Sequence, residues 1–342
     1  QDMSVPVDIE DNETLKRIAM TSMISKAVAG YREHMADMAV RSVSDVAEKT
    51  DGGYTVDLDN IQTVKKEGGN MDDSELVEGI IVDKEPVHPD MPKLVSEPKI
   101  ALIDAALEVK KTENEANIQI DDPSQMQAFL DQEENMLKEM VEKVKASGAN
   151  AVFCQKGVDD LAQHFLAKEG IFALRRVKKN DMENLAKATG ASIVNNLDEL
   201  QEEDLGEAKN IEMRRVQEDE MAFVTGCKNP NAVSLLIRGG TQHVVDEAER
   251  SLTDALNVVA VAIEDGKVTP GGGCTSVELA KRLREYAASI GGREQIAIDS
   301  FASAMEAIPT ALAENAGLDP IDTLIELRKA HEAGEQRSGV NV

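Results

Sequence analysis

Three consecutive glycines, Gly271, Gly272 and Gly273, stand directly after Pro270 and directly before an apolar-periodic stretch that begins at Cys274. With no Cβ in the way, the backbone N–H groups at such a helix start can approach an anion, so a phosphate-sized ligand can sit there. The triplet matches neither a P-loop, with its Lys-Ser/Thr, nor G-x-G-x-x-G, and on its own such a turn is usually a plain connection. Upstream lies an acidic helix, RGGTQHVVDEAERSLTDALNVVAVAIEDGK, which carries Asp254. Gly239 and Gly240 break the apolar run VSLLI, and Thr241 is placed to cap free N–H groups. Apolar residues then recur at 245, 248, 252, 255/256, 259 and 263. At about 3.6 residues per turn this spacing makes one core face and leaves Asp254 on a flank with Glu247 and Arg250, pointing away from it. A carboxylate so placed is usually only solvated, but it can also assist a nucleophilic water.

The elements that must position these residues follow from periodicity. Residues 13–49 read as helices, with Leu15, Ile18, Ala19 and Met23, then Met35, Met38, Ala39, Val43 and Val46 at helical spacing. TVDLDNIQTVKKEGG and ELVEGIIVDKE read as extended, and Gly79 with the following PVHPDMP marks a domain boundary. From Lys99 to Asn195 the short apolar runs KIALIDA, ANAVFCQ, GIFALRR and ASIVNN alternate with helices, two of them at 158–168 and 180–188. That alternation predicts a mostly parallel sheet covered on both faces. A long acidic insertion interrupts the domain. In it Asp121 or Asp122 caps a helix that Pro123 starts, and Met126, Phe129, Leu130, Leu137, Met140, Val141 and Val144 form an apolar stripe. The C-terminal end of the stripe can dock on the sheet, whereas Met126 to Leu130 have less company. Residues 196–230 read as polar connections and edge strands, after which VSLLIRGG returns the chain to the layer of residues 1–79. Beyond Asp265 the pattern is helical, with Asp319 as the N-cap of a helix beginning at Pro320.

Composition narrows the function classes. The chain has 342 residues, enough for two or three domains, and 42% are hydrophobic. Its 64 Asp and Glu against 37 Lys and Arg give a net charge of −27, which repels phosphate backbones and anionic membranes and argues against both as partners. Cys154, Cys227 and Cys274 are widely spaced, with no C-x-x-C and no Cys/His clustering, and read as reduced thiols. No apolar run approaches the ~18 residues of a membrane span, and no basic segment followed by an apolar one opens the chain, so a cytoplasmic protein is expected. The strand ends of the α/β region lack a glycine-rich phosphate fingerprint, which leaves a small-molecule enzyme without a catalytic constellation.

The phrases RGGTQHVVDEAERSLTDAL, EDGKVTPGGG, GGREQIAIDSFASAMEAIPTALAENAGLDP and GANAVFCQKGVDDLAQHFLAKEGIFALRRVKKNDMENLAKATGA together resemble an archaeal thermosome subunit, a group II chaperonin. The resemblance runs from about Leu15 to Val342. It implies a multidomain α/β and α+β fold: residues 1–79 the N-terminal part of an intermediate domain with a possible equatorial remnant, 80–230 an apical domain with a helical protrusion near 118–147, 231–265 the rest of the intermediate domain, and 266–342 part of an all-α equatorial domain. It further implies that Asp254 orients and activates the water that attacks the γ-phosphate of ATP. Gly271, Gly272 and Gly273 would lie against the nucleotide, and Asn341 and Val342 in GVNV against its base or ribose. Lys26 in TSMISKA would belong to a nucleotide-sensing loop. Mg2+ would be held mainly by nucleotide phosphates and an aspartate of a GDGTT loop. That string does not occur here, so the metal site is incomplete and the chain is expected to be a fragment lacking the N-terminal equatorial region, inactive alone. Met126, Phe129 and Leu130 would be client-binding residues of a built-in lid, and the partners would be unfolded proteins and identical or homologous subunits in a double ring. The implied function is ATP-dependent protein folding. The alternative is an ATP-independent client-binding piece without hydrolysis.

Overall fold

The computed structural model describes residues 3–24, 29–109, 123–228 and 232–341. The chain divides into two compact units, Asn12–Ala260 and a second made of Gln1–Asp11 with Val261–Val342. Strand β1 (Val5–Pro6) belongs to the second.

In the first unit, α1 (Asn12–Ser22) and α2 (Arg32–Val46) bury Leu15, Ala19, Met35, Met38, Ala39, Val43 and Val46, the predicted apolar face. A hairpin of β2 (Ala47–Thr50) and β3 (Gly53–Val56) follows, then β4 (Ile61–Glu67), β5 (Glu75–Val77) and β6 (Gly79–Val82). Next come β7 (Leu94–Ser96), β8 (Lys99–Ile103), α3 (Pro123–Ala146), β9 (Ala151–Cys154), α4 (Asp160–Lys168), β10 (Phe172–Leu174), α5 (Lys179–Thr189) and β11 (Ile193–Val194). β12 (Gly206–Glu207), β13 (Asn210–Val216), β14 (Asp219–Thr225) and β15 (Val233–Gly239) lead to α6 (Gln242–Asp265).

Strands β10, β9, β8 and β11 run parallel, and β12 pairs antiparallel with β8. Period-two alternation decides their two faces. Ile100, Leu102, Phe153, Phe172 and Leu174 pack on α5 and on strands β6, β13 and β14. Ala101, Ile103, Val152, Cys154 and Ala173 pack on Leu137, Val141 and Val144 of α3 and on α4. The covered parallel sheet of the sequence reading is therefore present, and the C-terminal half of α3 docks on it. Residues 196–230 differ from the expectation. β13 and β14 are the central strands of a four-stranded antiparallel sheet, β6-β14-β13-β7, with Met221, Ala222, Phe223 and Val224 buried. The charges around MAFV hide this strand. Its hairpin turns at Gln217, whose φ of 62° occupies a place where Asn or Gly is the usual signal. β15 pairs in parallel with β4 and antiparallel with β5, so the chain does return to the layer of its N-terminal part.

In the second unit β1 pairs with β16 (Lys267–Val268); α7 (Cys274–Ile290) carries α8 (Gly292–Met305) beside it, and α7, α9 (Ala307–Asn315) and α10 (Pro320–Glu332) pack around Val277, Ala313, Leu327 and Val340. Asp319 caps α10 as expected, its Oδ1 accepting from the N–H groups of Ile321 and Asp322 at 2.9 and 3.0 Å. Much of the apolar surface is bare, with Ile296, Phe301, Ile308, Ile321 and Ile325 exposed. The expectation that no run reaches membrane-span length is corrected. Gly292–Asn315 is long and apolar enough by length and composition, its alanines raising the mean hydropathy to 1.2. The run carries Glu306 in its middle, in an ion pair described below, and composition alone assigns it no membrane.

Candidate functional site

The glycine triplet forms the turn that starts α7. Gly272 and Gly273 have φ of 65° and 73°, the left-handed region. A Cβ on Gly272 would stand 2.4 Å from the Val340 carbonyl oxygen, and one on Gly273 would stand 2.9 Å from Pro309 Cβ. Both glycines are therefore required by the chain's own packing. At Gly271, which is exposed, a Cβ would meet nothing within 4 Å. The Gly271 carbonyl accepts from the Cys274 N–H at 3.3 Å, and the Gly273 carbonyl accepts from Val277 at 3.1 Å, closing the first turn. The Cys274 thiol donates to the Pro270 carbonyl at 2.9 Å.

The C-terminal tail is brought to this turn, with the Val340 N–H donating to the Gly272 carbonyl at 2.8 Å. Val340 is buried and Asn341 next to it is exposed. The tail is anchored by His331, fully buried, whose ring nitrogens are hydrogen-bonded to Glu278 Oε2 on α7 and to the Ser338 carbonyl, each at 2.9 Å. Arg282 Nε donates to the other Glu278 oxygen at 3.0 Å. Burial pushes the Glu278 carboxyl up, but the hydrogen bonds from His331 and Arg282 outweigh it and hold it below the usual range. A second buried carboxylate, Glu306, accepts two hydrogen bonds of 2.6 Å from Arg284 and is also held by Arg328, so it ties α7 to α10. Sequence reading missed His331, Glu278, Glu306 and the three arginines. Only Glu278 and Arg282 stand at i,i+4 spacing; the pairs His331–Glu278, Arg284–Glu306 and Arg328–Glu306 join residues 22 to 53 positions apart, where no local spacing signals a pair.

Helix α6 buries Val245, Ala248, Leu252, Ala255, Leu256, Val259 and Ile263, and Thr241 Oγ1 accepts from the Val244 N–H at 3.4 Å. Asp254 is exposed, as its spacing predicts, on a strip of α6 shared with Thr253, Asn257 and Val258. Lys26 and Val342 lie outside the described residues. On α3, Leu130 is 52% exposed whereas Leu137 is 1% exposed. The side chains of Met126 and Phe129 lie outside the described residues.

The chemistry of the turn fits a phosphate-bearing ligand. Its one glycine without a packing need is open to solvent, and it precedes a 17-residue helix with no acidic residue in its first turn. Gly271 and the start of α7 could hold phosphates. Among the described residues no group of three His, Cys, Asp or Glu side chains stands together to hold a metal ion, so no step is derived through magnesium. Cys154 and Cys227 are poor nucleophiles, because burial pushes both thiols up to about 11.

Residues 1–342 match the TCP-1/cpn60 chaperonin family. The chain is 56% identical over 342 residues to a thermosome subunit of Methanopyrus kandleri, covering all of this chain and 63% of that protein. It is 57% identical over 341 residues to thermosome subunit beta of Thermoplasma acidophilum, again covering 63% of the relative. Among solved structures it is similar to the open-state monomer of a group II chaperonin from Methanococcoides burtonii. The TM-score is 0.76 and the identity 44%, over 99% of this chain and 79% of that one. The chain thus spans less than two thirds of the length of these thermosome relatives.

Proposed function

Because this chain belongs to the TCP-1/cpn60 chaperonin family, we propose that it forms the greater part of a cytoplasmic, ATP-driven protein-folding chaperonin subunit. The observation that carries this reading is the 56% identity to a thermosome subunit along the full chain. In it, residues 80–230 are the apical domain, 1–79 and 231–265 the intermediate domain, and 266–342 part of the equatorial domain. Asp254 orients the water that attacks the terminal phosphate of ATP, for which an exposed carboxylate on a rigid helix is suited. Gly271, Gly272, Gly273, Asn341, Val342 and Lys26 serve the nucleotide, whose phosphates carry Mg2+. Met126, Phe129 and Leu130 meet unfolded clients or neighbouring subunits at the lid. The bare apolar side chains Ile296, Phe301, Ile308, Ile321 and Ile325 support an assembled state, since so many large exposed apolar residues in one small helical unit favour a partner that covers them.

The test is a chimera in which this sequence replaces the matching 63% of the Methanopyrus kandleri relative. Asp254→Ala is expected to slow ATP hydrolysis at least ~100-fold while leaving nucleotide binding in place, because the residue acts on water rather than on the bound phosphates. Parallel loss of binding and hydrolysis refutes the assignment. The 342-residue chain by itself is expected to hydrolyse ATP negligibly. Turnover by it that Asp254→Ala abolishes contradicts that expectation.

A further inference from the structure

Strand β6 lies at the edge of the four-stranded sheet, so its outward backbone groups have no strand beside them. Two side chains of the three-stranded sheet fill that place. The Ile81 N–H faces Gln62 Oε1 of β4 and Ser234 Oγ of β15, each at 3.2 Å, and the Gly79 carbonyl accepts from the Ser234 hydroxyl at 2.7 Å. Gln62 Nε2 in turn donates at 2.9 Å to Asp181 Oδ1 on α5, the helix that packs on the parallel sheet. Ser234 is fully buried. A single line of polar side chains thus joins two sheets and helix α5 where β6 begins. Gly79 itself admits no other residue, since its φ is 150° and a Cβ would stand 2.0 Å from the Val224 carbonyl oxygen.

One distance in this line sets up a conflict. Ser234 Oγ is 2.7 Å from Gln62 Oε1 as well as from the Gly79 carbonyl, and a hydroxyl has one hydrogen to give. While Asp181 is ionised, Gln62 must present its amide nitrogen to the carboxylate, so its oxygen faces Ser234. Either the Gly79 carbonyl goes without the hydroxyl, or two oxygens lie in contact with no hydrogen between them. A proton from solvent on Asp181 resolves this. The carboxyl then donates to Gln62 Oε1, and the amide turns over so that Nε2 donates to Ser234 Oγ. Ser234 donates to Gly79 and still accepts from Ile81. The turned amide nitrogen then stands where Gln62 Oε1 stood, and the Ile81 N–H bonds to Ser234 Oγ alone.

We propose that Asp181, Gln62 and Ser234 form a proton-operated clamp on β6, in which protonation of Asp181 tightens the hold of the three-stranded sheet on the strand leaving Gly79. Burial pushes the Asp181 carboxyl up; of the groups facing it, Lys178 and Lys84 pull it down, as does the Gln62 hydrogen bond, while Asp83 raises it. Because the folded carboxyl ionises above its ordinary range, the stability tied to it is complete at acid pH and is lost as pH rises through the folded value. The clamp is a property of this fold and does not depend on the chaperonin reading.

The test uses the full chain. Asp181→Asn offers Gln62 Oε1 a permanent donor and mimics the protonated state. It should raise the melting temperature by a few degrees at neutral pH, and the gain should shrink towards zero as acid protonates the wild-type carboxyl. In a Ser234→Ala background the gain should vanish, and carbon-13 NMR should show the Asp181 carboxyl titrating at lower pH than in the wild type. Where Ser234→Ala does not fold, Gln62→Met cuts the same line while sparing the Ser234–Gly79 bond, and there too the gain from Asp181→Asn should vanish. Additive effects of Asp181→Asn and the second substitution, or an Asp181 titration that neither variant moves, would overturn the proposal.

Discussion

Glu306→Gln isolates what the buried ion pair contributes to the helical unit. Glu306 is 4% exposed and takes hydrogen bonds from Arg284 on α7 and Arg328 on α10. Burial by itself pushes the carboxyl up, and the two guanidinium groups reverse that, bringing it from 4.5 down to about 2. Since the folded carboxyl ionises below its ordinary value, the pair stabilises fully above about pH 4.5 and loses its contribution as pH falls towards 2. At about 1.4 kcal/mol per pH unit the difference corresponds to roughly 3 kcal/mol at neutral pH. The arginines are 33% and 44% exposed, so competition from water brings the expected value nearer to about 2 kcal/mol. Glutamine keeps the shape but turns an N–H2 towards a guanidinium and leaves one arginine fork short of an acceptor. Urea unfolding of the full chain and of Glu306→Gln, measured from neutral pH downward, checks this. A gap of about 2 kcal/mol should appear at neutral pH and close as Glu306 is protonated. A gap that is absent, or that does not change with pH, would refute the reasoning.

Gly272→Ala forces a Cβ into the left-handed region and against the Val340 backbone, so the tail must lift. Hydrogen exchange at the Val340 amide should accelerate at least ~10-fold, while Gly271→Ala, at the open position, should leave it unchanged. The stripe on α3 divides in the same manner. Leu137→Ala, in the core under the parallel sheet, should cost about 2–5 kcal/mol, whereas Leu130→Ser should leave the melting temperature within a degree or so and, in the chimera, weaken capture of an unfolded client.

The strands and helices between Lys99 and Asn195 are legible in the sequence because a sheet buried on both faces needs continuous apolar runs, and its helices need apolar residues at their own period. KIALI and AVFC satisfy both faces at once, so they stand out even in an acidic chain. β13 and β14 do not. Their outward residues are charged, their turn uses Gln217 and Glu218, and only MAFV betrays a buried strand. In α6 the geometry is legible, including the outward placement of Asp254, because one 3.6-residue period fixes every residue of a long helix relative to its core face.

The glycine triplet shows where local reading stops. By residue type the three are equivalent, each able to take a positive φ and to admit a ligand. The structure separates them through contacts with Pro309 and Val340, distant in sequence, which claim Gly273 and Gly272 for packing and leave Gly271 facing solvent. His331 shows the converse. In the sequence it is one polar residue near the end of a helix, but its ring is enclosed between Glu278 and the Ser338 carbonyl and so fixes where the tail can run. The turn before α7 is thus held from behind by groups chosen by tertiary contact, which no spacing along the chain encodes.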